Sequence, residues 1–266
     1  MKRSATIILF FLVSLMATSC SKVDALFNNG DPITEQRTIG HPFTVVAMFN
    51  NVNVKLAEDT HPHLELTCPK NLIEKVTTEV KDDTLFIKNE NDFNWLRSFD
   101  YRIDLTVYYD SLRSVNYYSI GELCCVDSLR GMCSQSIDTI GALDTIGVII
   151  DTISTHNFIL RILEGSGNIN LTFNCNVMKT VFSNGTSEVT LKGYAGYTEH
   201  YLRSYGLVHA EKLESNIVKV MSESTNDIYV WAQSDLYAYL SNMGNVYYKG
   251  QPEIEQHCSG DGTVIQ

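Results

Sequence analysis

The chain has no C-x-x-C pair, no G-x-G-x-x-G fingerprint, no G-x-x-x-x-G-K-S/T loop and no cluster of lysines and arginines. Each absence excludes something. Without paired cysteines at ligand spacing there is no expected zinc site, and the adjacent Cys124 and Cys125 would point to opposite faces of a strand. Lysine and arginine number 20 against 31 acidic residues, for a formal net charge of −11. An acidic surface repels phosphate backbones, so nucleic acid is not an expected partner. Long apolar runs are also scarce: one opens the chain, and no second segment of membrane-spanning length follows it. The nearest thing to a phosphate cradle is Glu164 to Leu171, EGSGNINL. After Gly167 it alternates polar and apolar as a strand does, rather than opening the helix that a dinucleotide site needs.

What is present begins at the N-terminus. Lys2 and Arg3 form a basic start, and Ile7 to Met16 form an apolar core broken by Ser14. The run is shorter than the ~20 residues of a spanning helix and has the layout of a secretory signal peptide, residues 1–19. It ends in Ala17-Thr18-Ser19-Cys20, which resembles the lipobox of bacterial lipoproteins, where the cysteine is acylated and becomes the new N-terminus. The expectation is a membrane partner reached through acyl chains on Cys20, each buried methylene contributing ~0.8 kcal/mol. The expected location is the cell envelope, as an outer-membrane lipoprotein. Its side is left open, because Ser21-Lys22-Val23-Asp24 carries no acidic run. Removing residues 1–19 leaves 247 residues with a net charge of −13.

The mature chain then repeats itself. Turn residues precede an apolar strand residue at Gly167-Asn168-Ile169, Ser187-Glu188-Val189, Gly206-Leu207-Val208, Asn226-Asp227-Ile228, Gly244-Asn245-Val246 and Gly262-Thr263-Val264. The apolar members recur every 18 to 20 residues. Gly147-Val148-Ile149 extends the series one step back, and Gly121-Glu122-Leu123 begins it with an insertion before the next coil. Each period holds a second apolar stretch: Val177-Met178, Ile217-Val218, Leu236 to Leu240, and Ile254. Such a period predicts an all-β, solenoid-type stack in which coils ~4.8 Å apart share one core. The glycines then serve corners.

The units EGSGNIN, SNGTSEV, SNMGNVYYKG and CSGDGTV, with Pro69 to Asn89 upstream, resemble the putative auto-transporter adhesin, head GIN domain family. The resemblance covers roughly Phe43 to Gln266. It implies a right-handed parallel β-helix-like fold and a cell-surface or envelope location, and members are often lipoproteins of Gram-negative gut and oral bacteria. No functional residues come with it. Ser187 and Asn226 stand where glycine is usual in the family.

In order, the expectation is a polar tether over 20–42, a β-rich N-terminal part over 43–114, and the solenoid over 115–266, all in one β body. Phe43 to Leu56 reads as two strands around Asn50-Asn51. Asn71 to Val76 reads as one helical turn capped by Asn71, and Thr77 to Val80 with Thr84 to Lys88 as a hairpin. The six cysteines after Cys20 are Cys68, Cys124, Cys125, Cys133, Cys175 and Cys258. Export permits pairing, but irregular spacing and a self-sufficient core favour mostly free, buried thiols.

No catalytic constellation emerges. His61-Pro62-His63 lies in a turn with its rings pointing apart, and His200, His209 and His257 belong to no recognisable nucleophilic motif. Aspartates are scattered rather than clustered. No cofactor or metal is expected. Two positive features remain. If the repeat residues face inward, Tyr229 and Tyr247 face outward beside Trp231, with Tyr237 and Tyr239 on the opposite strand. These aromatics either bind a glycan or protein partner or pack as ladders that stabilise the faces. Six Asp-Ser/Thr-apolar triplets, at Thr84, Ser111, Ser128, Thr139, Thr145 and Thr152, are similar to an O-glycosylation acceptor of gut bacteria, or else are turn chemistry. The reading is a non-catalytic, lipid-anchored envelope protein acting by adhesion or ligand binding through solenoid faces. The alternatives are a polysaccharide-processing enzyme or glycan binder on a β-helix scaffold, and a structural or regulatory envelope component. Oligomeric state is left open.

Overall fold

Four strands are much longer than the usual ~5–6 residues: β12 (Asn168–Phe182), β13 (Glu188–Leu202), β14 (Leu207–Ser222) and β15 (Ile228–Leu240). In β12, Ile169, Leu171, Phe173 and Cys175 are buried in strict alternation; Val177 and Met178 are then both buried, and the phase slips so that Thr180 and Phe182 continue the buried row. One long strand thus bends to supply two walls of the same core. These observations come from a computed structural model that describes residues 28–91, 101–134 and 155–266. The segment expected to be a signal peptide, residues 1–19, and Cys20 lie outside the described residues.

The remaining strands are shorter. They are β1 (Pro32–Thr38), β2 (Val45–Asn50), β3 (Asn53–Glu58), β4 (His63–Pro69), β5 (Val76–Lys81), β6 (Thr84–Asn89) and β7 (Asp104–Tyr109). They continue as β8 (Ser114–Ser119), β9 (Leu123–Cys125), β10 (Met132–Ser134), β11 (Thr155–Gly165), β16 (Val246–Lys249), β17 (Glu253–Cys258) and β18 (Val264–Ile265). Among the described residues there is no α-helix, and the protein is all-β. The first wall runs β5, β6, β2, β8, β11, the C-terminal halves of β12 to β15, and β17. The second runs β1, β4, β7, β3, β9, the N-terminal halves of β12 to β15, β16 and β18. Most pairings are parallel; the antiparallel ones are β10 with β11 and those of β1, β4 and β5, at the N-terminal end of the walls.

The repeat is observed in register. Ile169, Val189, Val208, Ile228 and Val246 stack across successive strands and are fully buried, and Val264 follows them. Phe158 of one wall meets Phe173 of the other at 5.3 Å between ring centroids, tilted by 58°. A single apolar cluster runs from Phe43 to Val246, so the two halves of the chain share one core.

Several expectations are corrected. Leu123, not Ile149, is the ladder neighbour of Ile169; Gly147 to Ile149 lie outside the described residues. The β2–β3 layer sits between β6–β7 and β8–β9, so layers do not follow chain order at the N-terminal end. Part of the segment expected as a tether, β1, is a strand paired along its length with β4. Its Arg37 guanidinium donates to the carbonyls of Val76 and Ile73 at 2.6 and 3.2 Å. The expected helical turn is a 3₁₀ turn over Ile73–Lys75 preceded by Leu72; the Asn71 amide does not cap it but donates to the Asn28 carbonyl at 2.8 Å. Ile254 is 42% exposed because β17 is a terminal layer with nothing described beyond it. The hairpin of β5 and β6 forms as expected, around Asp82 and Asp83 at positive φ.

The corner between the walls answers the question raised by EGSGNINL. Gly165 has φ +131°, and a Cβ there would overlap the Ser119 carbonyl oxygen of the neighbouring layer. The glycine permits close approach of the β11 and β8 backbones. Serines stitch the same edge: the Ser204 hydroxyl donates to Gly185 O at 2.5 Å, and the Ser224 hydroxyl to Ser204 O at 2.6 Å.

Candidate functional site: aromatic columns and an edge cavity

Parallel in-register pairing places identical strand positions above one another, so an outward residue in one layer generates a column. His209, Tyr229 and Tyr247 form such a column on the second wall. Their rings stack at 5.2 and 5.1 Å, with planes 11° and 14° apart. His209 also lies 3.8 Å from the Glu188 carboxylate and 3.9 Å from that of Glu211. Trp231 is in the same half of β15, and the Lys249 ammonium stands 3.5 Å from its ring centroid. Tyr237 and Tyr239 project from the first wall instead. Tyr239 stacks on His257 at 5.1 Å, and Lys219 lies 5.8 Å over its ring. Burial, then Asp235, Glu255 and Glu253, push the Tyr237 phenol up.

This geometry has a chemical consequence. In the column the ring faces are turned toward one another, and one face of Trp231 is covered by Lys249. What the columns offer solvent is mainly ring edges, hydroxyls and charges. All five sequence-derived aromatics are half-buried, and they stand as two groups, Tyr229, Trp231 and Tyr247 on the second wall and Tyr237 and Tyr239 on the first.

Beside Tyr237 and Tyr239 lies a charged row. Lys179 and Lys219 reach the Glu199 carboxylate at 2.8 and 3.8 Å, and the Glu199 side chain is 11% exposed. His200, next in sequence, points inward and is fully buried; burial lowers its pKa to about 4.

A further column escaped sequence reasoning. Phe86, Phe49 and Tyr118 stack at 6.4 and 4.8 Å on the first wall, and the Lys88 ammonium lies 5.6 and 5.8 Å from the two phenylalanine rings. The local signal was there: Phe86 alternates with the buried Leu85 and Ile87. The stacking required the non-sequential layer order, which periodicity does not carry.

At the edge opposite the glycine corner, chain segments leaving β3, β7 and β9 border a half-open pocket of about 310 Å³. The exposed Glu58, Asp110 and Arg130 line it with Ser111 and His156, beside the buried Tyr109, Leu112 and Leu129. Tyr109 is 4% exposed; burial first, then Glu58, Cys125 and Asp127, push its phenol strongly up, against the opposing charge of Arg130.

The other sequence candidates are dispersed. Thr84, Ser111 and Ser128 are half-buried at strand ends or in loops, while Thr139, Thr145 and Thr152 lie outside the described residues. His63 stacks on Tyr108 at 4.1 Å, and His61 neighbours Asp59 at 3.8 Å. No group of three or more ligating side chains is close enough for a metal among the described residues. Cys68 and Cys175 are buried free thiols and Cys124 and Cys125 half-buried ones, whereas Cys258 is exposed. Among the described residues no helix is long and apolar enough to cross a membrane.

The fold is similar to several solved structures. A putative adhesin from Bacteroides fragilis has a TM-score of 0.72 at 19% identity, over 90% of this chain and 98% of that one. A putative lipid binding protein from Parabacteroides distasonis has a TM-score of 0.62 at 15% identity, over 90% and 99%. A putative adhesin from Parabacteroides merdae has a TM-score of 0.54 at 17% identity, over 89% and 96%. At these identities the likeness is one of fold. No curated protein matches the sequence. A family model matches residues 42–252, nearly all of the described β body, and by that match the chain belongs to the putative auto-transporter adhesin, head GIN domain family.

Proposed function

We propose that this chain is a lipid-anchored cell-envelope protein that works without catalysis, by adhesion or ligand binding through the outer faces of its walls. The observation that carries the reading is the in-register stacking of outward residues, with His209, Tyr229 and Tyr247 at 5.1–5.2 Å steps. Regular columns on a rigid parallel scaffold are a preorganised surface, and preorganisation lowers the entropic cost of binding. Membership of an adhesin-type family supports the same reading. The parallel pairings at 18- to 20-residue intervals support a solenoid, which we take to wind as a right-handed β-helix. Acylation at Cys20 would hold this body at a membrane, with residues 21–31 between anchor and first strand.

Protease treatment of intact cells carrying the native acylated protein, with a periplasmic control, tests the location. Shaving supports a surface adhesin, and a glycan and host-matrix array with Trp231→Ala then reads the contribution of the aromatic face. Protection in intact cells, with loss after lysis, sinks adhesion in favour of an internal envelope role. Replacement of Cys20 by Ala is expected to move the protein from the membrane to the soluble fraction.

We further propose O-linked sugar at one or more of Thr84, Ser111, Ser128, Thr139, Thr145 and Thr152. The support is the repeated Asp-Ser/Thr-apolar triplet. An intact mass of native protein carrying only the lipid increment removes this idea.

A further inference from the structure

We infer that the glycine corner is the edge of the body that rests on the lipid bilayer, with Ile120, Tyr205 and Met243 seated at the boundary between headgroups and acyl chains. The inference rests on the lipid-anchored reading above and adds to it an orientation and a contact surface.

Exposed apolar side chains are concentrated on this edge. Among the described residues four large ones are more than half exposed: Tyr205 at 68%, Val126 at 61%, Ile120 at 59% and Met243 at 57%. Three of these occupy the same place in the fold, the turn where a first-wall strand hands over to a second-wall strand. Ile120 lies between β8 and β9, Tyr205 between β13 and β14, and Met243 between β15 and β16. The second-wall pairings set these turns three and two layers apart, so at ~4.8 Å per layer they form one row about 24 Å long. Leu207 flanks Tyr205 and is itself exposed. The turns are tied to their neighbours by backbone and amide groups. Ile120 N–H donates to the Asn50 carbonyl at 2.9 Å, and the Asn242 side chain donates to the Glu223 carbonyl at 3.1 Å. The Asn226 amide donates to the Tyr205 carbonyl. A fixed backbone thus presents a fixed row of apolar side chains.

The course of the N-terminal strands brings a membrane to the same edge. Asp104 of β7 pairs with Asn53, the first residue of β3 after its corner. Thr67 of β4 lies opposite Asp104, and Pro32 of β1 lies opposite Pro69 of β4. The start of β1 is therefore at the glycine corner, where the Asn71 side chain holds the Asn28 carbonyl. Eight residues separate Cys20 from Asn28, a reach of at most about 28 Å. An acyl anchor on Cys20 enters from this edge, and the opposite edge is a further strand length away.

Side-chain chemistry agrees. Tyrosine, with an apolar ring and a polar tip, suits a membrane–water boundary, and isoleucine and methionine add apolar area. Two carboxylates near the row are paired, Glu122 with Arg102 at 3.5 Å and Glu223 with Arg203 at 3.3 Å. Val126, on the opposite edge, stands next to the exposed Asp127, with the exposed Glu58 and Asp110 at that same edge. With 31 acidic residues against 20 basic ones, the chain is repelled by an anionic surface, so the lipid it rests on is zwitterionic.

The test is hydroxyl-radical footprinting of the acylated full chain in nanodiscs of phosphatidylethanolamine and phosphatidylcholine. The reference is the mature chain with Cys20→Ala, free in solution. Intact mass and retention on the disc report the anchor separately. Oxidation of Ile120, Tyr205 and Met243 should fall about threefold or more on the discs, while Val126 and Met132, on the opposite edge, keep their solution rates. The combined variant Ile120→Ser, Tyr205→Ser and Met243→Ser changes exposed positions only, so circular dichroism and melting should stay unchanged. Protection of Leu207 should then disappear although the acyl chains still hold the protein on the disc. A corner oxidised as fast on the disc as in solution overturns the inference. So does equal protection of Met132, or protection of Leu207 that survives the triple variant. Stronger corner protection on phosphatidylglycerol discs overturns the assignment to a zwitterionic surface. The two readings fail separately: a chain without acyl mass at Cys20 loses anchor and edge together, and an acylated chain retained on the disc with an unprotected corner loses the edge alone.

Discussion

The Tyr117 hydroxyl donates to the Gly121 carbonyl at 2.7 Å, inside the corner where β8 hands over to β9. Tyr117 is fully buried, and burial pushes its phenol up to about 12. Tyr117→Phe therefore leaves a buried carbonyl without this donor and should cost ~1–2 kcal/mol. Urea unfolding reads the loss directly; an unchanged midpoint would mean the hydroxyl contributes nothing to the corner.

Gly206 and Phe182 are coupled sterically. A Cβ at 206 would overlap the Phe182 ring, and the three nearest atoms to it are all in that ring. Gly206→Ala should destabilise by ~1–3 kcal/mol through overpacking. Phe182→Leu also costs stability, because Phe182 is 1% exposed. The double variant should lose less than the two single losses together, with a coupling of ~1 kcal/mol or more. Strict additivity in a double-mutant cycle would contradict the contact.

His200 makes stability pH-dependent. Burial lowers its folded pKa to about 4, below the ordinary 6.5. Above pH 6.5 both folded and unfolded forms are neutral and the effect vanishes. As pH falls from 6.5 toward 4, the unfolded state binds a proton that the folded state refuses, and stability declines by up to about 3 kcal/mol before levelling off. Comparing denaturation midpoints across this window for wild type and His200→Leu isolates the contribution. Equal pH slopes in the two proteins would assign the dependence to other groups.

The cysteines should separate by reactivity. Cys258 is exposed, whereas burial raises the Cys68 thiol to about 11 and the Cys175 thiol to about 12. Brief alkylation of the native protein at mild alkaline pH, followed by peptide mapping, should modify Cys258 well before the other two. Comparable labelling of Cys175 would indicate that the core around it opens.

The ladder of Ile169, Val189, Val208, Ile228 and Val246 was legible in the sequence because a stacked fold repeats its demands: each layer needs one apolar residue after one corner. The inward–outward alternation around it followed from the same logic, which is why Tyr229 and Tyr247 could be placed on the surface. The N-terminal layers were not legible. Leu85 and Val46 become neighbours, as do Leu123 and Ile169, only through pairings far apart in the chain. The interval between Leu123 and Ile169 breaks the period that would have announced the second of them.

By itself, then, the chain determines the all-β class and the spacing of the layers, since alternation and turn chemistry act over a few residues. Only the tertiary structure decides the rest. It turns the aromatic rings onto one another, places Phe49 between Phe86 and Tyr118, and brings Glu58, Asp110 and Arg130 to the border of one pocket. The reason is physical. Ring orientation and the convergence of unlike charges depend on which layers become neighbours and where the strands bend, and neither is a local property of the sequence.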